Sequence, residues 1–126
     1  MRAVIDSCGW LEYFLAGPLG PEFRSRIQAD DVLVPTVVLF EVYKVIKRDV
    51  SERRAEEAVV QMRTRTCVPL TDEVALLAAD LCLEQRLAMG DGMVLATAQM
   101  HDATLVTSDF HFAGMPGVEY LEPAKA

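Results

Sequence analysis

The chain has 126 residues, 52% apolar and 25% charged, with a net charge of −7. That length and balance describe one globular domain with a real core and exclude disordered, fibrous or two-domain organisation. The acidic balance argues against a surface that binds a polyanion by charge alone, and no apolar run approaches the ~20 residues that cross a bilayer.

Arg2 to Asp6 reads as a short buried strand, and Ser7 is placed to cap a helix through Leu15. Trp10, Leu11, Phe14 and Leu15 recur there at helical spacing, and Gly17-Pro18 ends the run. Pro21 to Ala29 is expected as a second helix and Val32 to Val34 as a second strand. Pro35-Thr36 then opens a helix whose 37–42 run is apolar on nearly every side, with Glu41 its only acid. Ser51 caps a charged helix to about Arg65, and Cys67-Val68 supplies a third strand. Thr71 starts a helix to about Leu87, with Val74, Leu77, Leu81 and Leu83 or Cys82 on its buried side. Asp91 starts the last long helix, to about His101; Thr104 to Val106 and Val118 to Leu121 are the final strands. This alternation predicts a single α/β domain over residues 1–126, a mostly parallel central sheet with helices on both faces.

Two local features qualify the composition. Residues 44–65 hold Lys44, Lys47, Arg48, Arg53, Arg54, Arg63 and Arg65 against Asp49, Glu52, Glu56 and Glu57, so one basic segment sits in an otherwise acidic chain. Alone it reads as a solvated helical face with i,i+4 pairing. Cys8, Cys67 and Cys82 match neither a disulfide framework nor a CxxC knuckle and are expected as small core residues. The N-terminus lacks the apolar core of a signal peptide, so a soluble, cytoplasmic protein with no membrane association is expected.

Four acids fall where α/β proteins place ligand groups. Asp6 and Asp109 stand at the carboxyl ends of strands, Asp91 at a helix start between two glycines, and Glu41 inside an apolar helical run. In a parallel sheet, strand ends and the starts of following helices share one edge, so Asp6, Asp91 and Asp109 are expected to face a common crevice, and Glu41, on the inward stripe of its helix, is within reach of it. Each has a simpler reading: Asp91 as an N-cap, Asp109 as a turn residue, Asp6 as a cap in place of Ser7. Glu41 is harder to set aside, because a buried unpaired carboxylate costs several kcal/mol. Clustered carboxylates repel unless neutralised, and oxygen ligation without a nearby His or Cys suits Mg²⁺, or Mn²⁺, rather than zinc.

Val4-Ile5-Asp6-Ser7 with Trp10-Leu11, Phe40-Glu41-Val42, Gly90-Asp91-Gly92 with Ala96-Thr97-Ala98, and Leu105-Val106-Thr107-Ser108-Asp109-Phe110-His111-Phe112 together resemble the PIN-domain ribonucleases, and among them the VapC-type toxins of toxin–antitoxin pairs. The resemblance runs from Val4 to about Leu121. It implies that Asp6, Glu41, Asp91 and Asp109 are the catalytic metal-binding acids, with Ser7 and Thr107 supporting them. It implies Mg²⁺-dependent hydrolysis of RNA phosphodiesters that leaves a 5′-phosphate and a 3′-hydroxyl. A homodimer and a small antitoxin covering the site are implied as partners. Gly92 departs from the pattern, where a small residue with a Cβ is more usual; its expected cost is up to about 1 kcal/mol relative to Ala.

The remaining residues carry smaller expectations. Arg53 and Arg54 are candidates for substrate phosphates. His111 reads as an exposed loop residue, with contact to RNA as its alternative, His101 as a complement to a helix dipole, and Met89, Met93 and Met100 as core or dimer contacts. Trp10, Tyr13 and Phe14 read as core, or as lining for an antitoxin groove. Two rivals are a phosphoacceptor signalling module and a catalytically silent PIN-fold binding module. The first needs paired acids after the first strand and a late lysine, which Asp6-Ser7-Cys8 and Thr107-Ser108-Asp109 do not offer; nothing in the sequence favours the second.

Overall fold

Residues 1–123 are described by a computed structural model in which five short strands form one sheet. The strands are β1 (Arg2–Ile5), β2 (Asp31–Pro35), β3 (Thr66–Val68), β4 (Thr104–Thr107) and β5 (Val118–Tyr120). Their order is β3-β2-β1-β4-β5 and every neighbouring pair is parallel, so the expected mostly parallel sheet is wholly so. Ala3, Val4 and Ile5 are buried in succession, which requires cover on both faces of the sheet. Residues 124–126 of the expected domain lie outside the described residues.

Among the described residues six α-helices supply that cover: α1 (Ser7–Phe14), α2 (Gly20–Ala29), α3 (Thr36–Asp49), α4 (Glu52–Met62), α5 (Asp72–Gln85) and α6 (Met89–Met100). Local chemistry explains several of their ends. Ser51 and Thr71 accept hydrogen bonds from the Arg54 and Val74 amides, and Asp72 and Glu73 add negative charge where the α5 dipole is positive. Arg86, in the left-handed region at φ 56°, stops α5. Trp10, Phe23, Ile27, Met62, Leu105 and Phe112 are fully buried, while Tyr13 and Phe14 pack at the margin of the core.

Several expectations change. The α1 cap is Asp6, whose carboxylate accepts from the Ser7 amide, rather than Ser7. Helix α4 stops at Met62 instead of Arg65, because Thr64 turns back to donate to the Gln61 carbonyl. Helix α6 begins at Met89 with Ala88 as its cap, so Asp91 is its third residue and not its cap. Cysteine burial also differs: Cys67 is exposed on the edge strand β3, and Cys8 and Cys82 are half-buried. Leu83 lies on the open side of α5 at 82% exposure, and Met89 and Met100 are also exposed, whereas Met93 packs against the core.

Gly92 has a packing role. A Cβ there would meet the Cys82 Sγ at 2.3 Å and the Ala78 carbonyl oxygen at 3.0 Å. The absent side chain lets α6 lie directly on α5, which places the first turn of α6 at the sheet edge.

Candidate active site

The strand order reverses direction at the centre of the sheet, where β1 pairs with β4, and ligands of open α/β sheets collect outside such a switch point. Ile5 is in register with Val106, so Asp6 and Thr107 emerge side by side. The Thr107 hydroxyl donates to Asp6 Oδ2 at 2.7 Å and accepts from the Asp109 amide at 3.0 Å. One buried hydroxyl therefore ties the two strand-end acids together. Asp6, 5% exposed, also accepts from the Ser7 amide at 2.8 Å and lies 3.8 Å from the Cys8 thiol.

Asp91 reaches this place from the first turn of α6 and Glu41 from the second turn of α3. Gly90 makes room for Glu41: a Cβ there would lie 3.3 Å from Glu41 Oε2. Burial is the main cause raising the carboxyl pKa of Asp6, Glu41 and Asp91, and like charge adds to each. For Asp6 the like charge is Asp109; for Glu41 it is Asp6 and Asp91. Asp91 is pushed up to about 6, by burial first and then by Asp109 and Asp6. Four acids from four elements thus share one field. Among the described residues no lysine or arginine forms an ion pair with any of them. Lys44, three residues beyond Glu41, only tempers its shift.

The donor set fits a hard divalent cation. Ligand atoms of Asp91, Asp109 and His111 lie within 4.8 Å of one another, close to the ~3–4 Å between donors around an octahedral ion with bonds of about 2.1 Å. His111 is a neighbour that the sequence places on an exposed loop, with RNA contact as the alternative, and not beside the acids. Its Nδ1 stands 2.7 Å from Asp109 Oδ1, and its amide donates to the same oxygen at 3.0 Å. The expectation of a site with no His or Cys nearby is therefore corrected. Cys8 also borders it, 3.6 Å from Thr107 Oγ1, and the Ser108 hydroxyl lies 3.3 Å from the Cys8 sulfur. An i,i+2 relation to each strand-end acid was the available signal: Asp6 to Cys8 and Asp109 to His111.

Arg53 and Arg54 are not brought to the acids. They stand in the first turn of α4, after the end of α3 at Asp49, and that end is roughly 12 Å beyond Glu41 along the helix axis. Arg53 pairs with Glu57 at 3.2 Å and Arg54 donates to the Phe14 carbonyl at 3.4 Å. His101 is the C-cap of α6, as its dipole reading expects.

Thr107 offers a test of the local design. Thr107→Val keeps the shape but removes the donor to Asp6 and the acceptor for the Asp109 amide. A loss of metal affinity on the order of 10–100-fold is expected, by calorimetric titration with Mn²⁺, because hydrogen bonds behind ligands orient them. Unchanged affinity would mean that the strand ends alone hold the acids in place.

A family model described as PIN domain matches residues 3–118. Among solved structures, the chain is similar to a toxin–antitoxin complex from Klebsiella pneumoniae at 26% identity and TM-score 0.78, covering 93% of this chain and 95% of that one. A Mycobacterium tuberculosis toxin, VapC20, described as cleaving the sarcin–ricin loop, matches at 16% identity and TM-score 0.74, over 89% of this chain and 95% of its own. VapBC2 from Rickettsia felis, solved bound to a promoter DNA fragment, matches at 14% identity and TM-score 0.75, over 95% and 98%. A search of curated protein sequences gave no match.

Proposed function

Because the chain belongs to the PIN-domain family, we propose that it is a Mg²⁺-dependent endoribonuclease and the toxin of a toxin–antitoxin pair. The observation that carries this reading is the meeting of Asp6, Glu41, Asp91 and Asp109 at the sheet's switch point, where among the described residues no lysine or arginine pairs with any of them and His111 pairs with Asp109 alone. In this reading all four are the catalytic, metal-binding acids, and Mn²⁺ can replace Mg²⁺. A bound divalent ion supplies Lewis-acid activation of water and stabilises the leaving oxygen of the phosphodiester.

The chain's own residues do the positioning. Asp6 and Asp109, linked through Thr107, form the rigid half of the site because both grow from paired strands. Asp91 and Glu41 close it from two helices, with the Ser7 hydroxyl drawing the Glu41 pKa down against its acidic neighbours. With the ion in place the local negative charge falls, so a phosphate can approach an acidic chain. Arg53 and Arg54, at the far end of α3, serve at most RNA backbone remote from the scissile bond.

Two further features support the implied partners. The α5–α6 face carries a groove of ≈ 480 Å³ bordered by Leu83 and by Met89 at 72% exposure, which suits a homodimer contact. The α3–α4 groove of ≈ 510 Å³, with Phe40 and Val60 exposed beside it, suits an apolar segment of an antitoxin. No helix among the described residues is long and apolar enough to cross a membrane, and we place the activity in the cytoplasm.

The test is to incubate the purified chain with total cellular RNA and to sequence the resulting 5′-phosphate ends. New ends are expected with Mg²⁺ or Mn²⁺ and none with EDTA. Identical end maps in all three conditions, from a folded protein, would sink the nuclease assignment.

A further inference from the structure

We propose that Phe110 is a substrate-binding residue whose ring stacks an unpaired base of the RNA, one nucleotide from the phosphate held at the acids. This rests on the nuclease reading and deepens it. Phe110 directly follows Asp109, and it opens the 3₁₀ turn Phe110–Phe112. The two phenylalanines of that turn have opposite fates: Phe112 is fully buried and anchors it, while Phe110 is 69% exposed. An exposed aromatic beside four carboxylates is not explained by the core.

Its ring is nevertheless held in place. Phe110 stacks on His111 with centroids 4.2 Å apart and planes at 29°, and His111 is itself held by Asp109 at 2.7 Å. One face of the phenyl ring is thus backed by His111, and the residue as a whole stays largely exposed. Phe40, also exposed, differs: the Lys44 ammonium sits 5.2 Å from its ring centroid, and it borders the apolar α3–α4 groove.

The acidic charge strengthens the inference. A chain of net charge −7 gains little RNA affinity from Coulomb attraction, so contact to the bases must supply much of it. Stacking on an aromatic ring does this without basic groups, and it tolerates any base because each has a π face. Consecutive Cα atoms are about 3.8 Å apart, so the Phe110 ring stays within one nucleotide's reach of a phosphate at Asp109.

The experiment compares wild type, Phe110→Ala and Phe110→Trp in Ca²⁺, used to hold RNA without turnover. The probes are a short mixed-sequence single-stranded RNA and a counterpart with abasic sites, each read by fluorescence anisotropy. Phe110→Ala is expected to weaken binding of the base-bearing RNA by about tenfold or more and to leave the abasic one unchanged. Phe110→Trp should keep affinity, and its emission should be quenched by base-bearing RNA only, above a constant background from buried Trp10. Equal affinity of Phe110→Ala and wild type, or equal loss on both probes, overturns the proposal. Retained RNA affinity with weakened antitoxin binding would assign the ring to a protein contact and overturn it too. A wild type that cleaves RNA as fast as Phe110→Ala removes this inference alone; one that neither binds nor cleaves RNA in any divalent ion removes the nuclease reading with it.

Discussion

Replacing Asp91 by Asn is expected to cut RNA cleavage about a thousandfold and, in EDTA, to make the protein more stable at neutral pH. The first effect follows from losing one charge among the acids proposed to hold the metal, because metal stabilisation of the transition state contributes several kcal/mol and each 1.36 kcal/mol is about tenfold. The second has the opposite direction because the carboxylate is held at a cost when no cation is bound. Its pKa rises from 3.8 to about 6, through burial and the nearby Asp109 and Asp6. A raised acid binds its proton more tightly in the folded state, so stability declines as pH climbs from about 4 to about 6 and stays lower above that. Half-exposure screens the penalty to about 1 kcal/mol, or roughly 4 °C in Tm.

Thermal melts across pH separate these causes. The Asn variant should melt higher than wild type above about pH 6, and the gap should close below about pH 4, where both forms are uncharged at this position. Adding Mg²⁺ should reverse the order, since only the wild type keeps full affinity for the ion. Full activity in the Asn variant would remove Asp91 from the metal-holding set. A melting gap that ignores pH would locate the gain in something other than charge.

Gly92→Ala is expected to destabilise the fold by about 1–2 kcal/mol, the reverse of what helix propensity alone predicts. Propensity favours Ala by up to about 1 kcal/mol, whereas overpacking a close helix contact costs about 1–3 kcal/mol. The new methyl would sit 2.3 Å from Cys82 Sγ and 3.0 Å from the Ala78 carbonyl oxygen. The thiol can rotate away; the backbone carbonyl cannot. Urea denaturation should show a lower midpoint at unchanged slope. Cys82→Ala in the same chain should restore part of the loss, a coupling expected only if the two side chains compete for one space. A Gly92→Ala protein as stable as wild type would show that α6 can slide on α5 at little cost.

Much of the candidate site was legible because its acids stand at positions that local pattern marks. Asp6 and Asp109 close apolar strand runs, and Glu41 interrupts an apolar helical one. Asp91 was legible as a helix-start acid but was placed two residues early in the helix, because Ala88-Met89-Gly90 carries no capping side chain to mark the true start. His111 and Cys8 are not legible in the sequence as part of the site because each lies past a strand end, where the two-residue period of the strand no longer places side chains. Their roles come from the bend of the 3₁₀ turn and from the first turn of α1. Arg53 and Arg54 are basic residues that follow Glu41 in sequence, yet α3 carries the chain away from the candidate site before α4 begins.

The sequence by itself determined the succession of strands and helices, the parallel sheet and the edge at which the acids gather. These follow from local periodicity and from the rule that parallel strands joined by crossovers present their ends on one side. Only the tertiary structure decided that Gly92 is a packing requirement and that Phe110 faces solvent while Phe112 fills the core. It alone also decided that Asp91 holds its proton to about pH 6 in the metal-free protein. Each of these depends on atoms brought together from distant parts of the chain, where distance and burial, not residue type, set the energy.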